Sequence, residues 1–195
     1  MTFADKAAAP APGQTVQTRN IVRDQTGALF RRCKNLRFEN LRVKFMHGLG
    51  MVAQFCENVG YYGCDFTPGE GRTAASTADF FQFSGCRGQL TVENCKARGA
   101  QDDYVNVHGT HLRIVKTDPA ARTMTVRFMH DETWGIQAFA PGDRLEFIRW
   151  DTLLPYAETV VTDYEKINDT DIYTPWIKKP QDNTKKENIY GCSSS

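Results

Sequence analysis

The stretch CENVGYYGCDF (56–66) decides the fold, because CKNLRFENLRV (33–43) matches it 23 residues earlier. Both read Cys-x-Asn-aliphatic, then a short strand, a turn pair and another strand. CRGQLTVENCKA (86–97) repeats the theme with a small insertion, so Cys33, Cys56 and Cys86 share one column and Cys64 and Cys95 another. A second ladder aligns VAQFC (52–56), FFQFSG (80–85) and YVNVHG (104–109). It places Gln54, Gln82 and Asn106 in register at offsets of 28 and 24. Short strands rich in β-branched and aromatic residues, repeated at this period, predict an all-β solenoid with parallel strands, one coil per repeat. No stretch has the length and period of a helix, which argues against helical and leucine-rich repeats. A jelly roll or sandwich is the structural alternative.

Stacked amides satisfy polar groups along such a ladder, so Gln54, Gln82 and Asn106 read as structural rungs. Stacked cysteines fit small apolar slots better than bonded pairs. None of the six cysteines forms a C-x-x-C pair, which argues against a zinc ribbon or a thioredoxin-type site.

The repeat organises the chain. Residues 1–20 read as a flexible lead-in without a signal-peptide pattern, and residues 21–116 carry the coils. From 117 to 172 the texture changes: LRIVKTDPAARTMTVRFM reads as two strands about an Asp-Pro turn, and Pro-Gly-Asp precedes another strand. This predicts a small antiparallel β barrel or sandwich, inserted or appended. Residues 173–195 read as a polar, exposed tail. A solenoid of three or so coils leaves edges and apolar ends uncovered, which predicts self-association through those ends or a longer parent chain. With 24 Lys and Arg against 23 Asp and Glu, the net charge of +1 argues against a nucleic-acid partner. No apolar run is long enough to span a membrane.

The chemistry sits in GAQDDYVNVHG (99–109). Laying ADFFQFSG (78–85) over DDYVNVHG (102–109) puts Asp79 on Asp103 and Ala78 on Asp102. Aligned positions on neighbouring parallel strands are about 4.8 Å apart. Asp79, Asp102 and Asp103 should therefore converge, and one carboxyl should hold a proton near neutral pH. A calcium site would use the same three acids, but the Gly-Asp cadence of calcium solenoids is missing, so no metal and no cofactor is expected. Glycoside hydrolysis needs such a set: one protonated carboxyl for the leaving oxygen and one ionised carboxylate for the nucleophile. A trio in which two carboxylates share a water suits inversion, with acid and base groups about 6.5–9.5 Å apart.

TADFFQFSGCRG followed by GAQDDYVNVHGTHL closely resembles glycoside hydrolase family 110, the right-handed parallel β-helix exo-α-1,3-galactosidases. The resemblance covers roughly residues 14–172 and is strongest over 64–112. It implies an inverting enzyme that releases terminal α-1,3-linked galactose from oligosaccharides or glycans. Asp102 is then the general acid, and Asp79 with Asp103 the pair that activates water. It also implies a secreted or periplasmic location. His108 becomes a substrate-binding candidate, with Glu70 and Arg72 reaching substrate from the loop PGEGRTAAS (68–76). His47 and His111 are weaker candidates, and Trp134 and Trp150 read as core rather than sugar-stacking residues. The Asp before an Asp-Asp pair also resembles the polygalacturonases of family 28, and a non-catalytic carbohydrate-binding β-helix is the reading from another class.

Overall fold

The computed structural model describes residues 9–18, 25–109, 111–130, 133–134 and 136–168, and the backbone alone at 171–175 and 187–191. The described residues are all-β, without an α-helix. The chain makes four successive passes. The first carries β1 (Ala28–Arg31) and β2 (Lys34–Glu39); the second β3 (Met51–Gln54), β4 (Glu57–Tyr62) and β5 (Asp65–Phe66). The third carries β6 (Phe81–Ser84), β7 (Arg87–Glu93) and β8 (Lys96–Ala97), and the fourth β9 (Val105–His108). Equivalent strands pair in parallel, in the orders β1-β3-β6-β9, β2-β4-β7 and β5-β8.

Three columns of bends make the passes superpose. Arg32, Phe55 and Gly85 all have positive φ, as do Asn35, Asn58 and Gly88, and Asn40, Gly63 and Asn94. Asn and Gly tolerate the left-handed region best, which is why the Cys-x-Asn motif recurs. The motif is a corner: two left-handed residues with an inward cysteine between them. Asn58 Nδ2 donates to Asn35 Oδ1 at 2.9 Å, so the amide rung of this fold is the Cys-x-Asn asparagine. The described cysteines 33, 56, 64, 86 and 95 are unbonded and stack as the columns predict.

One register differs from the sequence alignment. Val52 pairs with Gln82 and Gln54 with Ser84, an offset of 30 rather than 28, while Gln82 pairs with Asn106 as expected. A shift of two residues keeps the same side chains inward, so hydrophobic alternation does not distinguish the two registers. The corners do: Phe55 and Gly85 must superpose, and Cys56 must fall over Cys86.

Inward positions build an aromatic spine. Phe38 stacks on Tyr61 at 4.8 Å, Tyr61 meets Phe81 at 4.5 Å, and Phe66 meets Phe81 edge-on at 4.9 Å. Such pairs contribute about 0.5–1.5 kcal/mol each beyond their buried area. The spine ends abruptly. Val105 and Val107 pair with buried Phe81 and Phe83, yet are 47% and 60% exposed, because no described strand covers β9.

From His111 the chain turns antiparallel: β10 (His111–Asp118), β11 (Thr123–Phe128), β12 (Arg144–Arg149), β13 (Pro155–Val160), β14 (Glu165–Lys166), β15 (Asp171–Pro175) and β16 (Glu187–Gly191). The boundary read at 116/117 falls inside β10. Asp118 opens the Asp-Pro turn by accepting from the backbone N–H groups of Ala120 and Ala121. The sheet order is β13-β12-β16-β10-β11-β15-β14, and the sheet stays open rather than closing as a barrel. Residues 187–191, expected in an exposed polar tail, instead form β16 between β12 and β10. Residues 173–175 of that tail belong to β15, and its remainder, like residues 1–8 and 19–20 of the lead-in, lies outside the described residues.

This sheet has its own core, including Leu112, Val126, Leu145 and Phe147, and meets the parallel passes. Phe55, the corner residue of the second pass, packs against that core. Arg87 pairs with the buried Asp143 at 2.5 Å, and Asp143 Oδ2 also accepts from Ala140 N–H.

Candidate active site

Outward positions of the four-stranded parallel sheet floor a cleft of about 980 Å³. Asp79 enters it from the residue pair before β6. The loop is tied down behind it: Ser76 Oγ donates to the Asp79 carbonyl at 2.7 Å, and Phe80 N–H donates to the Asp103 carbonyl at 3.1 Å. This stitching continues the parallel ladder beyond the strands and brings the expected acids together. One carboxylate oxygen from each of Asp79, Asp102 and Asp103 lies within 4.8 Å of the others. Measured oxygen to oxygen, the trio is tighter than the expected separation of about 6.5–9.5 Å between carboxyl groups.

The three acids are not equivalent. Asp79 is only 3% exposed, whereas Asp102 and Asp103 are exposed. Asp79 and Asp102 line the cleft; Asp103 does not. Asp79 Oδ1 accepts from the Asp103 N–H at 3.3 Å and Oδ2 from Asn106 Nδ2 at 3.1 Å. Burial pushes the Asp79 pKa above the ordinary 3.8, the charges of Asp102 and Asp103 add to that, and the two hydrogen bonds oppose it. The folded chain therefore binds this proton more tightly than the unfolded chain, and stability falls as pH rises from about 3.8 through the raised value. Asp79→Asn keeps the side chain's shape and one of the two accepted hydrogen bonds, and removes the buried charge. Its thermal midpoint should exceed that of the unaltered chain at pH 7, and the advantage should vanish near pH 3. A midpoint below the unaltered chain at pH 7 would contradict the burial argument.

One oxygen of each acid is placed so that the three could share a cation, with Asp79 buried and the other two exposed. His108 lies beyond Asn106 on the same face of β9. Its Nδ1 meets the Gly109 carbonyl at 3.0 Å, which requires Nδ1 to carry the proton, so Nε2 accepts from Gln82 Nε2 at 3.3 Å. His111 and His130 also line the cleft, and burial, then His108, lowers the His111 pKa.

Other candidates lie outside the cleft lining. Glu70 and Arg72 sit exposed on their loop, and His47 is exposed as well. Trp134 and Trp150 are 51% and 58% exposed, so neither is core, and neither lines the cleft. Gln54, Gln82 and Asn106, read as structural rungs, all face the cleft, and Asn106 holds the buried acid. Alternation in the sequence shows which residues share a face, but not what that face becomes. Residues at even spacing from Asn106 along β9 share its face, and that face is the cleft floor.

Comparison with known proteins adds ancestry to this geometry. Residues 123–174 match the family described as GLAA-B beta-barrel domain II. The chain is 43% identical over 174 residues to alpha-1,3-galactosidase A of Akkermansia muciniphila, covering 88% of this chain and 29% of that protein. It is 41% identical over 163 residues to alpha-1,3-galactosidase A of Bacteroides fragilis, covering 82% and 27%. With alpha-1,3-galactosidase B of Phocaeicola vulgatus it shares 36% identity over 151 residues, covering 76% and 25%. The chain thus spans less than a third of the length of the curated relatives it matches. The chain is therefore a homologue of the proteins named alpha-1,3-galactosidase.

Proposed function

We propose that this chain carries the catalytic centre of a glycoside hydrolase that releases terminal α-1,3-linked galactose from a glycan. The observation that carries the proposal is the acid trio, with Asp79 buried at the cleft floor and Asp102 exposed within reach of it. On this reading the parallel sheets are coils of a right-handed β-helix, spanning residues 21–116, with the antiparallel unit at 117–172 appended to it. Asp102, protonated, gives its proton to the glycosidic oxygen as the C1–O bond breaks. A water attacks C1 from the opposite face and loses its proton to Asp79, with Asp103 supporting Asp79 through its backbone N–H and its charge, giving β-galactose.

A neutral sugar is favoured over a uronate. The described residues lining the cleft include no lysine or arginine, so a galacturonate carboxylate would lack a permanently charged partner there. That weighs against the polygalacturonase-like alternative. The tight spacing of the trio does favour one second reading, double displacement with retention, for which carboxyl groups stand about 5–5.5 Å apart.

The test is hydrolysis of α-1,3-galactobiose followed by proton NMR. Initial β-galactose supports inversion, and initial α-galactose supports retention. Binding without cleavage gives the carbohydrate-binding reading, and release of galacturonate from pectin gives the polygalacturonase one.

A further inference from the structure

The cleft floor is polar at one end and apolar at the other. Strand register sets the order of the outward positions across the sheet: Leu29 on β1, Val52 on β3, Gln82 on β6 and Asn106 on β9. Gln82 and Asn106 adjoin the acids and offer hydrogen bonds. Leu29 and Val52 offer none, and Leu49, just before β3, extends the apolar end of the same cleft. Val52 is packed away at 2% exposure, whereas Leu29 stands 50% exposed on the floor. An exposed leucine beside a buried valine, inside a cleft, is a surface that favours a partner over water.

Distance decides what that partner is. Neighbouring strands are about 4.8 Å apart, so Leu29 lies about 10 Å along the floor from the level of Asp79. A ring resting on Leu29 is therefore not the ring whose C1 meets the acids. If the reacting galactose is terminal, the next ring is the leaving group.

We propose that Leu29, backed by Val52 and Leu49, forms the leaving-group subsite and binds the apolar C–H face of the sugar that follows the terminal galactose. The proposal rests on the galactosidase reading. It makes Leu29 a specificity-determining residue remote from the bond that breaks.

Two substrates separate the roles. α-1,3-Galactobiose has a leaving-group ring, and α-galactosyl fluoride has none. Leu29→Ser should lower kcat/KM on the disaccharide about tenfold, mainly through KM, since small changes in apolar contact are worth roughly 10–200-fold. Its rate on the fluoride should stay within about twofold of the unaltered chain. Leu29→Met, which restores the apolar contact, should recover the disaccharide rate. Equal losses on both substrates would place the reacting ring on Leu29 and overturn the proposal, as would no loss on either. If the unaltered chain cleaves neither substrate, the galactosidase reading fails and the subsite falls with it.

Discussion

Asp102→Asn should reduce hydrolysis of α-1,3-galactobiose by about a thousandfold or more, while hydrolysis of α-galactosyl fluoride falls less than about tenfold. The difference follows from the leaving groups. A sugar alkoxide is a poor leaving group and needs a proton as the C1–O bond breaks; fluoride departs without one. A variant that has lost its general acid therefore keeps the second reaction and loses the first. Asp79→Asn should lose both, because a water without a base is slow against either substrate. The raised pKa of Asp79 makes the exchange of roles a real competitor, since a buried acid that holds its proton is suited to donate it. If Asp79→Asn spares the fluoride and Asp102→Asn does not, Asp79 is the acid. Both variants leave the fold intact by the geometry: Asp102 is exposed, and an asparagine at 79 can still accept from the Asp103 N–H or from Asn106.

Much of this was legible in the sequence because a stacked fold writes each position several times. The Cys-x-Asn corner recurs at 33, 56 and, with Gly88 replacing asparagine, at 86, and its spacing reports the register directly. The acid trio was legible for the same reason, since the offset of 24 that aligns Phe81 with Val105 also aligns Asp79 with Asp103. The Gln54–Gln82 rung was misplaced because amide identity outweighed the corner. A slip of two residues changes neither the alternation nor the inward set, so chemical likeness was a poor guide there. Asn106 was read as a rung because its sequence position does not show that an outward face becomes a cleft floor. That depends on Met129, His130 and Thr133, which line the same cleft from beyond β11 and share no repeat with it. The strand at 187–191 was missed because it takes its place from the partners on either side, β12 and β10, and ENIYG alone lacks a long alternating pattern.

Asp102 and Asp103 also divide their work. They lie in the bend before β9, and one carboxylate oxygen of each comes within 4.8 Å of the other. Asp102 lines the cleft, while Asp103 stays off its lining and gives its backbone N–H to Asp79. One acid works as a side chain in the cleft. The next supplies a backbone donor and a nearby charge.

Gly50→Ala should damage stability and activity together, and Gly71→Ala should separate the two causes. Both glycines have φ of +71°, so alanine at either incurs the same left-handed strain, about 1–2 kcal/mol. Their surroundings differ. A Cβ at Gly71 meets nothing within 4 Å. A Cβ at Gly50 would lie 2.2 Å from the Asp79 carbonyl oxygen and 2.8 Å from that of Phe80. Both atoms are backbone, so neither can rotate away, and forced overpacking adds about 1–3 kcal/mol. The segment that must shift is the one that carries Asp79 and whose Phe80 carbonyl accepts from Met51 N–H at 2.9 Å. Misplacement of about 1 Å at a catalytic group costs on the order of a hundredfold in rate. Thermal unfolding and hydrolysis of α-galactosyl fluoride, measured on both variants, check this. Gly71→Ala should lose only the strain and keep its rate. Gly50→Ala should lose more stability and, in the fraction that remains folded, about a hundredfold in turnover. Equal behaviour of the two would mean that the close approach of the second pass to the third does not hold Asp79 in place.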